Sequence, residues 1–216
     1  MTPPKLVIFD CDGVLVDSEP VTNRLLRDDL AGRGLDLPYA QIMSLFVGGT
    51  MKNVGVRARE MGADIPEDWV DGFYTKMYAR LAEGTPLIAG VEGVLDRLDA
   101  AGVPYAVGFN GSMQKMGITL GQHASVMARL EGKLYSAHVI GVAKPEPDMY
   151  LLAARDAGVA PADCVVVDDS PSGCRAAARA GMRCLGFAEH DDGARLVTEG
   201  AEPVHFMAEV AEILGL

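Results

Sequence analysis

Lys5-Leu6-Val7-Ile8-Phe9-Asp10-Cys11-Asp12-Gly13-Val14 is the stretch that decides the fold. Its first half is a near-continuous apolar run, the pattern of a strand buried on both faces. Its second half carries two carboxylates two residues apart, and Gly13 marks a turn. Core packing does not produce such groups, because a buried unpaired charge is too costly. Far downstream a second acidic pair, Asp168-Asp169, closes the apolar run Cys164-Val165-Val166-Val167. Two apolar strands that both end in acids predict a parallel sheet whose carboxyl-end crevice holds a cation, since open α/β sheets bind ligands there.

Working outward, residues 5–10 read as a strand. From Glu19 to about Gly84 the character changes. Apolar residues recur at helical spacing (Leu25, Leu26, Leu30; then Trp69, Phe73, Met77, Leu81), and no strand pattern stands out. After Thr85-Pro86 strands and helices alternate again. Helices are expected over 91–101, 112–120, 146–157, 171–180 and 207–214, and strands over 104–109, 164–168 and 183–187. Ser170 suits an N-cap, with Pro171 at the first helical position and Gly181 as the stop. The expected fold is α/β: a doubly wound, Rossmann-like parallel sheet with a small helical cap inserted after the first strand. The expected boundaries are 1–16 and 85–216 for the core and 17–84 for the cap.

At 216 residues the chain suits one core with a smaller insertion. A net charge of −11 repels nucleic acid and anionic membrane, so neither is an expected partner. An anionic substrate can still enter if a metal and a lysine reverse the local potential. No apolar run approaches the length of a membrane span, and no signal peptide fits, because Leu6–Phe9 is too short and an acid follows at once. Four cysteines show no disulfide-like framework or CxxC pair, so a reducing cytoplasm is expected. The four histidines lack zinc spacing, and neither dinucleotide nor Walker glycine motifs occur.

The acids themselves point to chemistry. One carboxylate of the Asp10/Asp12 pair can attack an electrophile and bind a divalent cation, and the other can trade a proton. Phosphorus is a suitable electrophile, since aspartyl phosphates are established covalent intermediates. A polar turn or a calcium loop is the alternative, but Val14-Leu15-Val16 breaks the calcium pattern. Asp168 and Asp169 add hard oxygen ligands that suit Mg²⁺. Lys144, in the turn Lys144-Pro145 before a helix, could neutralise Asp10 and a phosphoryl group together.

These residues resemble the haloacid dehalogenase superfamily of phosphotransferases, over nearly the whole chain. Within it the chain is similar to the β-phosphoglucomutase-like branch of sugar-phosphate phosphatases and mutases. The first motif stands as Phe9-Asp10-Cys11-Asp12-Gly13-Val14-Leu15-Val16-Asp17-Ser18-Glu19, the third as Lys144-Pro145-Glu146-Pro147-Asp148, and the fourth as Val167-Asp168-Asp169-Ser170-Pro171-Ser172-Gly173. The resemblance implies Asp10 as nucleophile, Asp12 as general acid/base and Lys144 as the residue that orients nucleophile and phosphate. It implies Mg²⁺ held by Asp10, the Asp12 carbonyl and Asp169, with Asp168 beside it. In the cap, Gly48-Gly49-Thr50 matches the glycine-containing loop that faces substrate, and Lys52 adjoins it.

The second motif departs from the family pattern. Where the family places Ser or Thr to bond a phosphoryl oxygen, this chain has Phe109, followed by Asn110-Gly111-Ser112. Phe has no donor, so Asn110, Gly111 and the strand-end amides are the candidate phosphate-binding groups. The mutase positions for His and Arg hold Thr22 and Met51. The expected function is therefore a Mg²⁺-dependent phosphatase acting on a small phosphorylated metabolite, a sugar or sugar-acid phosphate, as a monomer or weak homo-oligomer. The rivals are a phosphomutase and a catalytically weak phosphate-binding protein. Dehalogenation is disfavoured, because enzymes of that kind lack a general acid at the position of Asp12.

Overall fold

The computed structural model describes residues 3–46 and 50–216. Contacts divide the chain into two compact units, one of 1–17 with 86–216 and one of 18–85.

Strand β1 (Leu6–Phe9) opens the larger unit and is buried at every position. The smaller unit follows it in sequence and is built from α1 (Glu19–Ala31), α2 (Tyr39–Phe46), α3 (Met51–Glu60) and α4 (Trp69–Ala82). Helical spacing is realised as burial: Trp69, Phe73, Met77 and Leu81 form the covered stripe of α4, and Leu26 and Leu30 that of α1. Asp29 joins the two helices by accepting from Trp69 Nε1 at 2.7 Å, Lys76 Nζ at 2.6 Å and Arg33 Nε at 2.8 Å. Burial works against its charge, but these donors win and hold its pKa below the ordinary value.

The larger unit resumes with α5 (Val91–Ala101), β2 (Tyr105–Phe109), α6 (Met113–Thr119) and α7 (Ala124–Leu130). Next come β3 (Leu134–Ser136), α8 (Ala137–Ile140), α9 (Asp148–Asp156), β4 (Cys164–Asp168) and α10 (Pro171–Ala180). The chain ends with β5 (Arg183–Phe187), α11 (Ala194–Val197), β6 (Glu202–Val204) and α12 (Met207–Leu214). The six strands described pair in the order β3-β2-β1-β4-β5-β6, all parallel. Alternate residues enter separate apolar clusters, Val7, Phe9, Val107 and Val165 in one and Leu6, Ile8, Ala106 and Val166 in the other. The central strands β1, β2 and β4 are therefore covered on both faces, which is why their sequences read as apolar runs. This is an α/β fold.

Chain order reverses beside β1: β2 and β3 lie on one side, and β4, β5 and β6 on the other. Such a switch point opens a crevice at the carboxyl ends of the strands. Two strands were not expected from sequence, β3 and β6, because each has only three residues. The helix expected from Glu146 starts at Asp148, after Pro147, whose ring cannot sit inside a helix. Among the described residues no helix is long and apolar enough to cross a membrane.

Candidate active site

Register sets the site. Phe9 pairs with Val107 on one side and Val167 on the other, so β1, β2 and β4 end nearly level. The next residues of β1 and β4 are then Asp10 and Asp168, and Asp10 N–H donates to the Val167 carbonyl at 2.8 Å. Lys144 reaches both from the turn before α9. Its ammonium donates to Asp168 Oδ2 at 2.7 Å and also to Asp10 Oδ1. The Lys144 side chain is 2% exposed and that of Asp168 0%.

Asp168 is fully engaged. Its Oδ1 accepts from Ser170 N–H at 2.9 Å and Ser170 Oγ at 2.7 Å, and its Oδ2 accepts from Tyr150 OH at 2.6 Å as well as from Lys144. Two donors on each oxygen occupy its lone pairs. In this arrangement Asp168 anchors Lys144. Room for its carboxylate comes from Gly173, where a Cβ would lie 1.9 Å from Asp168 Oδ2. Gly173 N–H is also the group that Ser170 Oγ caps, at 3.0 Å, so the turn is fixed from both sides.

One ammonium thus serves two buried carboxylates. Burial raises the pKa of Asp168, but Lys144, Tyr150 and Ser170 outweigh it and hold the group below its ordinary value. For Asp10 burial dominates. Lys144 offsets part of it, Asp168 and Asp12 add to it, and the pKa is pushed up to about 7. The same ammonium is beside both, so the contrast reflects the extra donors on Asp168. Burial disfavours the charge on Lys144, yet Asp10 and Asp168 keep its pKa well above the ordinary lysine value. Asp10 is therefore the less compensated carboxylate of the two.

A divalent cation beside Asp10 would supply the missing compensation. Asp169 lies against the turn at Gly13, where φ is +78° and a Cβ would fall 2.2 Å from Asp169 Oδ2. Glycine at 13 lets this carboxylate approach the loop that carries Asp10 and Asp12. Among the described residues no three His, Cys, Asp or Glu side chains converge as a metal cluster. Mg²⁺ does not require one, since it commonly takes one or two carboxylates and fills its shell with water and phosphate oxygens. Asp10, Asp169 and the main-chain oxygen of Asp12 could supply such a set.

Asp12 has a partner that sequence reading missed. Lys115, on α6, donates from Nζ to Asp12 Oδ2 at 2.8 Å. Burial works against its charge, but Asp12 overcomes it and raises its pKa. Its helix is placed by Ser112, whose Oγ accepts from Lys115 N–H at 3.1 Å. Phe109 is 2% exposed and belongs to the core. Over Gly111 three side chains converge: a Cβ there would lie 3.7 Å from the Phe109 ring, and 3.8 Å from both Asp12 Oδ2 and Lys115 Cδ.

Asn110 is engaged with Lys144. Its Oδ1 accepts from Lys144 N–H at 2.8 Å, and its Nδ2 faces the Lys144 carbonyl at 3.5 Å. Its side-chain amide clamps the lysine turn. The Gly111 carbonyl accepts from Ser136 Oγ at 2.8 Å. Thr50 and Lys52 belong to the helical unit, where Thr50 Oγ1 N-caps α3 by accepting from Asn53 N–H at 3.2 Å and Lys52 is exposed. Gly49 lies outside the described residues. Tyr150 was also missed, since on α9 it reads as one more core position.

Residues 4–181 match the model of the haloacid dehalogenase-like hydrolases. The chain is 30% identical to hexitol phosphatase A of Escherichia coli (strain K12), over 88% of this chain and 85% of that one. It is 29% identical to the 6-phosphogluconate phosphatase of the same organism, over 84% and 81%. The crystal structure of a HAD family hydrolase from Deinococcus radiodurans, with bound phosphate and sodium, is 32% identical and superposes with a TM-score of 0.84, covering 97% of this chain and 94% of that one.

Proposed function

Because this chain belongs to the haloacid dehalogenase-like hydrolases, we propose that it hydrolyses a sugar or sugar-acid phosphate through an aspartyl phosphate on Asp10. Phosphatase action on a small phosphorylated metabolite is common to its named relatives. The observation that carries the reading is Lys144, whose buried ammonium joins Asp10 to Asp168 at the ends of β1 and β4.

In this reading an Asp10 oxygen attacks phosphorus in line, and the bond from phosphorus to the leaving alkoxide breaks. Asp12 gives its proton to that oxygen. It then takes a proton from water as the water attacks phosphorus, the bond to Asp10 breaks, and orthophosphate leaves. Lys144, fixed by Asp168 and Asn110, keeps positive charge beside the transferring group. Mg²⁺ held by Asp10, Asp169 and the Asp12 carbonyl would offset further charge on that group when bound. The helical unit 18–85 is assigned the choice of substrate. Thr22 and Met51, at the mutase positions for His and Arg, favour a phosphatase over a phosphomutase.

The test is orthophosphate release from a panel of sugar phosphates and sugar-acid phosphates, with and without Mg²⁺, by wild type and Asp10→Asn. Mg²⁺-dependent release by wild type and none by Asp10→Asn is the expected result. Undiminished release by Asp10→Asn would sink the assignment of the nucleophile.

A further inference from the structure

We propose that Lys115 is a phosphate-binding residue, its ammonium bridging Asp12 to a phosphoryl oxygen of the substrate at the strand end where Phe109 offers no donor. The inference rests on the phosphatase reading and extends it to a residue outside the motifs.

Position is the first ground. Lys115 Nζ sits 2.8 Å from Asp12 Oδ2, and its stem, Asp12 and the Phe109 ring all border Gly111. Its side chain is 20% exposed, so the ammonium is held inside the crevice and not spread into solvent. Asp10 and Asp12 share one short loop, so a cation on Asp12 lies next to the site of attack.

Charge is the second. Asp10, Asp12, Asp168 and Asp169 gather at this end of the sheet, and a phosphate monoester adds close to two negative charges at neutral pH. Lys144 is already divided between Asp10 and Asp168. A further positive group beside the cation would favour the entry of an anion. Lys115 supplies one next to the attacking residue.

Donor number is the third. An ammonium carries three N–H donors, and one directed to Asp12 leaves others for a ligand. The end of β2 contributes a buried aromatic ring, which can donate nothing to a phosphoryl oxygen.

The experiment is calorimetric titration of inorganic phosphate into the full chain with saturating Mg²⁺, for wild type, Lys115→Met and Lys115→Arg. A charged hydrogen bond lost from the complex corresponds to a dissociation constant raised roughly tenfold or more in Lys115→Met. Lys115→Arg should retain most of the affinity. If Lys115→Met fails to fold by circular dichroism, Lys115→Gln takes its place with the same expectation. Unchanged phosphate affinity in the folded neutral variant would overturn the inference while leaving the phosphatase reading intact. A wild type that neither binds phosphate nor releases it from any sugar phosphate would overturn both.

Discussion

Tyr150 donates its hydroxyl to Asp168 at 2.6 Å, on the same carboxylate oxygen that accepts from Lys144. The Lys144 ammonium also lies 5.1 Å from the centre of the Tyr150 ring. Tyrosine thus contacts both members of the buried pair, as a donor to one and a π face to the other. Tyr150→Phe keeps the ring and removes the donor. Loss of a hydrogen bond to a buried carboxylate is expected to cost about 1.5–3 kcal/mol, measured by urea unfolding, with turnover reduced because Lys144 is less firmly held. Unchanged stability would mean that Asp168 finds another donor.

Asp10 gives the protein a pH signature. Its pKa is raised to about 7 in the fold, above the ordinary aspartate value of 3.8. Between those values the folded state keeps a proton that the unfolded chain has lost, so this residue makes stability fall as pH rises through that window. Other carboxylates act in the opposite sense, as Asp168 does with its lowered pKa. The effect is therefore read as a difference. In the absence of metal, wild type minus Asp10→Asn should show stability declining from about pH 4 to pH 7, and a flat difference would contradict the assignment.

Gly13 and Asp169 should act as one element in metal binding. Ala at 13 places a Cβ 2.2 Å from Asp169 Oδ2, on a backbone whose φ is +78°. Gly13→Ala is expected to raise the half-saturating Mg²⁺ concentration by roughly ten- to hundredfold, as displaced supporting groups do at metal sites. Asp169→Ala should do so at least as strongly, and in the metal-free protein it should gain stability by easing repulsion among the acids. Metal dependence identical to wild type in both variants would move the cation elsewhere.

Phe109 links packing to rate. It is 2% exposed, so Phe109→Ser should destabilise by about 3–5 kcal/mol. With Lys115 in place, the new hydroxyl should add little to kcat. In Lys115→Met the same change should restore roughly tenfold or more, since the hydroxyl then supplies the missing donor. Equal effects in the two backgrounds would show that the residues do not share a task.

What sequence could and could not disclose follows from how each residue does its work. Asp10 and Asp168 were legible because charges at the end of apolar strands have few explanations, and Lys144 because it accompanies them in a turn. Tyr150 was not, since it lies among Met149, Ala153 and Ala154 on the covered side of α9 and only its hydroxyl departs from core behaviour. Lys115 was hidden for the opposite reason. A lysine one turn into a short helix is the commonest solvated pattern, and the pairing with Asp12 spans 103 residues of chain. The bond from Lys144 N–H to the Asn110 side chain could not be read, because it depends on how two distant turns meet. β3 and β6 escaped because three residues carry too little periodicity to register.

Asp17 N–H donates to the Pro86 carbonyl at 2.9 Å, and Val16 bridges Leu87 beside it. The chain leaves the sheet-bearing unit and returns to it through neighbouring positions. An excursion that begins and ends at one point places no constraint on its own length or shape. A segment joined in this way can change in length without moving a strand end. A gene joining Asp17 to Pro86 through a short glycine-rich turn would show whether the larger unit folds and keeps phosphate affinity by itself.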